Sequence, residues 1–135
     1  MVSVKSAVLE RRHPSVSLLL VDDDPGFRRL VRRLLEEEAV EANVIAEAGD
    51  GEEAVRLAHE LRPDLILMDI AMPRLGGLEA IRRTKAAQPD TKIIVVSVHG
   101  EEAYRKAAEE SGADAFVLKK TLSTELLPAI RRLVR

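Results

Sequence analysis

Residues 17–25 read SLLLVDDDP, an unbroken apolar run that ends in three aspartates and a proline. Consecutive apolar residues without alternation predict a strand covered on both faces, as in a parallel sheet flanked by helices. Asp24 and Pro25 predict the start of a helix, because aspartate caps helix N-termini and proline fits the first turn. The stretch therefore predicts a strand, an acidic loop and a helix.

The same order of elements is repeated five times along the chain. Short apolar runs predict strands at residues 17–22, 43–48, 64–69, 92–97 and 115–118. The run after the first strand has the spacing of a helical stripe, with apolar residues at Phe27, Leu30, Val31, Leu34 and Leu35. Strands that alternate with helices predict an α/β fold, a doubly wound five-stranded parallel sheet with helices on both faces.

Two of the later helices carry specific expectations. Residues 101–111 offer only Tyr104, Ala107 and Ala108 to a core, so this helix should dock more weakly than its neighbours. Pro128 lies too deep in the last apolar stripe for a first turn, so it should distort the start of that helix.

Composition bounds the function. The 135 residues predict one domain at residues 16–135 after a flexible lead-in at residues 1–15. A net charge of −2 gives no basic field for a polyanion, which disfavours direct nucleic-acid binding by this chain. The chain has no cysteine, which excludes disulfides and thiol catalysis. Without a secretory signal or an apolar run of about 20 residues, we expect no membrane association and a cytoplasmic location.

Chemically active side chains stand where the predicted strands end. They are Asp22 and Asp23 after the first strand, Asp69 at the third, Ser97 at the fourth and Lys119 after the fifth. In an open parallel sheet, ligands bind beyond the carboxyl ends of the strands. Right-handed crossovers in a doubly wound sheet place the first and third strands side by side. The two acidic groups should therefore meet at one edge.

Crowded carboxylates repel one another unless a cation lies between them. An all-oxygen set favours magnesium, and manganese would also fit. Lys119 and the hydroxyl of Ser97 could neutralise and orient the oxygens of an incoming phosphate. The pattern predicts a phosphoryl-transfer site with a carboxylate as the nucleophile.

Four short motifs stand in order at the ends of the predicted strands: VDDDP at residues 21–25, DIAMP at 69–73, VS at 96–97 and FVLK at 116–119. Together they resemble the receiver domains of bacterial two-component response regulators. The resemblance extends over nearly all of residues 17–135 and implies a flavodoxin-like fold. It implies that Asp69 is the phosphoacceptor. Magnesium would be held by Asp22, Asp23, Asp69 and the backbone carbonyl of Ala71.

The resemblance also implies a switch and its partners. Lys119 would contact the phosphoryl group, Ser97 would be the hydroxyl that moves toward it, and Phe116 would be the aromatic that changes burial. A sensor histidine kinase would supply the phosphoryl group, and a phosphorylation-dependent homodimer could form through the fourth helix, fifth strand and fifth helix. Lys120 stands where many receivers have proline, which is similar to the branch with helix-turn-helix output domains. We expect a regulatory domain that assists its own phosphorylation and dephosphorylation, not an enzyme with an external substrate.

Three alternatives have less support. A haloacid-dehalogenase-type phosphatase also uses a strand-end aspartate with magnesium, but it needs a second aspartate two residues later, where Ala71 stands. A nucleotide- or flavin-binding module would need a glycine-rich phosphate loop, and neither G-x-G-x-x-G nor G-x-x-x-x-G-K occurs. The third alternative is a pseudo-receiver that only binds partners, against which the complete set of acidic and basic residues argues.

Overall fold

A computed structural model describes residues 15–38 and 42–134. The predicted lead-in at residues 1–15 falls outside these ranges except for Ser15. The described residues form five strands, β1 Val16–Val21, β2 Ala42–Ala48, β3 Leu65–Met68, β4 Lys92–Ser97 and β5 Ala115–Leu118. In the same residues there are five α-helices, α1 Pro25–Glu37, α2 Gly51–Leu61, α3 Gly77–Ala87, α4 Glu102–Ser111 and α5 Leu122–Leu133, with a short 3-10 turn at Lys119–Thr121 before α5.

All five strands are parallel and follow the order β2-β1-β3-β4-β5. The first and third strands are therefore neighbours, as the crossover rule predicts. Val21, the last residue of β1, is paired with Met68, the last residue of β3, so these two strands end at the same level. The loops after β1 and β3 consequently start side by side.

Each face of the sheet has its own apolar core, because successive strand residues point to opposite faces. Leu18, Leu20 and Leu67 pack with α1 and α5 in the first core. The second core contains Leu19 and Ile66 with residues of α2, α3 and α4. The strands are buried on both sides, and the predicted fold class is confirmed.

Side-chain caps set the starts of the first two helices. Asp24 accepts a hydrogen bond from the N–H of Gly26, and Pro25 occupies the first turn of α1. Asp50 accepts from the N–H of Glu53 at 2.9 Å, which starts α2. These caps end the strand-to-helix loops within a few residues and hold them at the carboxyl edge.

The last two helices differ in part from their sequence-based descriptions. Helix α5 continues through Pro128 from Leu122 to Leu133, and the predicted distortion of its start stays a prediction. Helix α4 buries only Ala108 and Ser111, which agrees with weak docking. Contrary to the prediction, Tyr104 lies outside the core: the residue is 40% exposed, and its ring stacks on that of His99 with 4.7 Å between the ring centres.

Candidate functional site

Three carboxylates meet at the carboxyl edge of the sheet. Asp22 directly follows β1 and Asp69 directly follows β3, and the N–H of Asp69 donates to the carbonyl of Val21 at 3.0 Å. One carboxylate oxygen each from Asp22, Asp23 and Asp69 lies within 4.8 Å of the others. Asp22 and Asp69 are buried, whereas Asp23 faces solvent. The predicted convergence of the acidic residues is therefore present.

Lys119 brings a positive charge into this cluster. It begins the 3-10 turn after β5, and its side chain reaches back over β4 and β3 toward the acidic residues. Its Nζ donates to Asp22 Oδ2 at 2.7 Å and lies 3.6 Å from Asp69 Oδ2. Burial alone would lower the pKa of Lys119, but the hydrogen bond with Asp22 and the charge of Asp69 raise it. The ammonium is therefore held charged between two carboxylates.

Burial and the neighbouring charges disfavour the ionised form of Asp69. Its burial raises its pKa, and the charges of Asp22 and Asp23 add to this effect. The N–H of Ala71 donates to its Oδ1 at 3.1 Å, and this bond and Lys119 act in the opposite direction. The net direction is upward, so the charged form of Asp69 is disfavoured here relative to water.

The donor set fits a hard divalent cation. Three carboxylates face one ammonium, which leaves uncompensated negative charge on Asp22, Asp23 and Asp69. Magnesium takes carboxylate and carbonyl oxygens together with water. The described hydrogen bond of Ala71 is made by its N–H, so it does not test the backbone carbonyl, which stays a predicted ligand.

The other two predicted site residues, Ser97 and Phe116, lie on β4 and β5. Ser97 is buried at the end of β4, in register with Leu118, and its Oγ accepts from the N–H of His99 at 3.0 Å. Phe116 packs partly into the core next to α2, α3 and α4. The guanidinium carbon of Arg105 lies 4.7 Å from its ring centre. Their predicted switching roles remain predictions.

Two arginines of α1, which the sequence did not predict as site residues, contact Glu47, and one of them also contacts the acidic loop after β1. Arg28 on α1 donates to the carbonyl of Asp22 and pairs through Nε with Glu47 at 2.7 Å. Arg32, one turn further on, pairs with the other oxygen of Glu47. Burial alone would raise the pKa of Glu47, but hydrogen bonds from both arginines lower it. The sequence signal for these ion pairs was a glutamate near the end of the second strand, together with two arginines four residues apart on one face of a helix.

Close backbone approach fixes the loop that carries Asp69. A Cβ at residue 77 would lie 2.4 Å from the carbonyl oxygen of Asp69 and 2.5 Å from the Cα of Ile70, so only glycine fits. The N–H of Gly77 donates to the carbonyl of Ile70. In the same loop Arg74 adopts a φ of 62° and pairs with Asp50 at 2.9 Å, which joins this loop to the start of α2.

Comparison with known proteins assigns this arrangement to a family. A family model described as the response regulator receiver domain matches residues 18–131. The chain belongs to this family. The matched region contains most of β1, the other four strands and the whole acidic cluster of the receiver domain.

Relatives of this receiver domain are regulators of transcription and nitrate response by name. It is 38% identical over 116 residues to the transcriptional regulatory protein DegU of Brevibacillus brevis, covering 86% of this chain and 49% of that protein. It is 36% identical to the nitrate/nitrite response regulator protein NarL of Escherichia coli, covering 86% and 53%. The chain thus spans about half the length of these curated relatives.

Solved structures agree with the fold of this receiver domain. A two-component response regulator of the LuxR family from Aurantimonas sp. superimposes with a TM-score of 0.82 at 36% identity, covering 88% of this chain and 84% of that one. The response regulator domain of Thermotoga maritima CheB gives 0.81 at 35% identity, covering 88% and 96%. The resemblance to response regulators, including the branch with separate output domains, is confirmed.

Family membership sets aside two of the competing functions. The receiver domain is a regulatory module, not a phosphatase of the haloacid dehalogenase type or a nucleotide-binding module. Within residues 15–38 and 42–134, no helix has the length and apolar character needed to cross a bilayer.

Proposed function

We propose that Asp69 accepts a phosphoryl group from a sensor histidine kinase in a magnesium-dependent reaction. The observation that carries this proposal is the cluster of Asp22, Asp23 and Asp69, with oxygens within 4.8 Å, next to the ammonium of Lys119. A buried carboxylate beside unpaired negative charge is costly for a structural role. The arrangement suits a site that receives a cation and an anionic group.

In the proposed transfer, a carboxylate oxygen of Asp69 attacks phosphorus, and the bond from phosphorus to the kinase histidine nitrogen breaks. The N–H of Ala71 holds Asp69 Oδ1 in place. Lys119 stands on the Oδ2 side, where its ammonium offsets charge on the oxygens of the transferred group. A magnesium ion bound by Asp22, Asp23, Asp69 and the Ala71 carbonyl would neutralise further charge on those oxygens.

We propose that Ser97 and Phe116 couple phosphorylation of Asp69 to a conformational change at the surface formed by α4, β5 and α5. The Ser97 oxygen accepts a hydrogen bond from the His99 N–H, and a hydroxyl can donate its own proton at the same time. A phosphoryl oxygen on Asp69 would be the acceptor, and movement of Ser97 would allow the half-buried Phe116 to shift. The affected elements are α4, β5 and α5, where a homodimer or an output segment would bind.

The relatives suggest the output. DegU is named a transcriptional regulatory protein, and this chain covers about half of it. We therefore propose that the receiver controls a DNA-binding segment or partner and does not itself contact nucleic acid. We expect it to act in the cytoplasm, where a kinase can reach the carboxyl edge of the sheet.

Intact mass spectrometry tests the proposal. After incubation with acetyl phosphate and Mg²⁺, the wild-type chain should gain one phosphoryl group, and EDTA should prevent it. The Asp69→Asn variant should gain none, whereas Asp90→Asn, altered in an exposed turn at the opposite edge, should react normally. A phosphoryl group that persists in Asp69→Asn would refute the assignment. An unmodified wild type that still binds partners would favour the pseudo-receiver.

A further inference from the structure

The ring of Phe27 lies against the ammonium of Lys119. The Nζ of Lys119 is 4.1 Å from the centre of this ring, in addition to its contacts with Asp22 at 2.7 Å and Asp69 at 3.6 Å. Phe27 is the third residue of α1, placed there by the helix start at Asp24. The acidic loop and the ring are thus parts of one short segment, whereas Lys119 arrives from the far edge of the sheet.

Three groups lie around the ammonium of Lys119. Two are the carboxylates of Asp22 and Asp69, and the third is the face of Phe27, which carries partial negative charge from the ring quadrupole. A lysine side chain has a flexible four-carbon stem and many rotamers. Its side chain here is only 19% exposed, so the ring also keeps water from that side of the nitrogen.

We infer that Phe27 is a positioning residue, whose ring face holds the Lys119 ammonium between Asp22 and Asp69. The inference rests on the proposed function, in which Lys119 contacts a phosphoryl group on Asp69. An aliphatic side chain at position 27 would fill space but would offer no charge-binding face. The ammonium would then sample more positions and would spend less time beside Asp69.

Phe27 also packs partly against the first apolar core, so its loss has a packing component. Phe27→Leu removes the ring and three carbon atoms and keeps an apolar residue. Leu34→Ala removes the same number of carbon atoms from a residue seven positions further along α1 that packs against the same core. Phe27→Tyr restores an aromatic face. These three variants separate the contact with Lys119 from packing.

Nuclear magnetic resonance of lysine-labelled protein tests the contact without any phosphorylation. In the wild type, the ring current of Phe27 should shift the signals of the Lys119 ε-methylene upfield, and Lys119→Gln assigns them by their disappearance. The shift should be lost in Phe27→Leu, kept in Phe27→Tyr and kept in Leu34→Ala. Lys119 signals that are the same in Phe27→Leu and wild type would overturn the inference.

Phosphorylation by acetyl phosphate with Mg²⁺ tests the consequence, because a small donor avoids any effect on kinase docking. Phe27→Leu should slow the reaction about threefold to tenfold, which lies within the range expected for the loss of a single cation–π contact. Phe27→Tyr and Leu34→Ala should stay within about twofold of wild type, although Leu34→Ala unfolds at a lower temperature. A full rate in Phe27→Leu would refute the positioning role and leave the proposed function intact. A wild type without a phosphoryl group would refute the proposed function, while the Lys119 signals still decide whether Phe27 holds the ammonium.

Discussion

The negative charge of Asp69 should cost the folded protein stability, so Asp69→Asn is expected to be more stable than wild type. With an effective dielectric constant of about 20, two like charges at most 4.8 Å apart repel by roughly 3.5 kcal/mol or more. Asp69 faces two such charges, on Asp22 and Asp23. The Lys119 ammonium at 3.6 Å attracts it by about 4.6 kcal/mol on the same scale.

Two repulsions against one attraction leave a net cost of about 2 kcal/mol. Salt and the exposure of Asp23 reduce it, so we expect a gain of about 1–2 kcal/mol on replacement by asparagine. Asparagine can still accept the hydrogen bond from the Ala71 N–H, and Lys119 keeps its partner Asp22. The substitution therefore removes the charge with little loss of contacts.

Urea unfolding at pH 7 in EDTA and low salt measures this gain. The control Asp90→Asn changes an exposed aspartate at the opposite edge and should stay within about 0.5 kcal/mol of wild type. The difference should shrink in high salt, and Mg²⁺ should stabilise wild type more than Asp69→Asn. An Asp69→Asn variant that is no more stable than wild type, with an unchanged denaturant slope, would refute this electrostatic reasoning.

Three further substitutions have defined outcomes. Gly77→Ala should lower stability by about 1–3 kcal/mol in urea unfolding, because the new Cβ meets fixed backbone atoms; Gly76→Ala, with no atom within 4 Å of its Cβ, should be neutral. Glu47→Gln should lower stability by about 0.5–1 kcal/mol at pH 7. Because the pKa of Glu47 is lowered on folding, the stability that its charge contributes is complete above the unfolded pKa of about 4.3 and is lost as pH falls through the folded pKa. Unfolding free energies of wild type and Glu47→Gln, measured over a series of acidic pH values, should therefore converge as pH falls through the folded pKa. A difference that stays constant with pH would contradict the ion pairs. Asp23→Asn should weaken Mg²⁺ binding at least about tenfold, as measured by calorimetry. The control Asp24→Asn should bind Mg²⁺ like wild type, because that side chain caps α1. Equal Mg²⁺ affinities of Asp23→Asn and wild type would exclude Asp23 as a ligand.

The sheet was predictable because its information is local. Continuous apolar runs predict strands buried on both sides, and parallel connections then leave few orders for five strands. Once β1 and β3 are neighbours, Asp22 and Asp69 must lie close together, since both directly follow those strands. The acidic part of the site therefore follows from strand order and required no knowledge of side-chain packing.

The partners supplied by α1 were not predictable in the same way. Phe27 fits the apolar stripe of α1, and the sequence predicts for it only a place in the core. Its contact with Lys119 depends on the rotation of α1 on the sheet and on the path of a lysine from the other edge. Arg28 likewise meets Glu47 and the carbonyl of Asp22 only because of that rotation. Tyr104 was misplaced for a related reason, since helical spacing alone did not reveal that His99 offers its ring a stacking partner.

The two edges of the sheet contain buried polar groups of opposite character. At the amino edge, Gln88 Nε2 donates to the carbonyl of Ala58 at 2.9 Å, and Thr91 Oγ1 donates to that of Pro63 at 3.4 Å. These buried polar side chains therefore have hydrogen-bond partners within the protein. At the carboxyl edge, Asp22 and Asp69 are buried with like charges facing one another. Polar groups that satisfy one another stabilise a fold, whereas uncompensated charges persist where a ligand will compensate them. For this reason we expect the proposed cation and phosphoryl group to change the energy of the receiver domain most at the carboxyl edge.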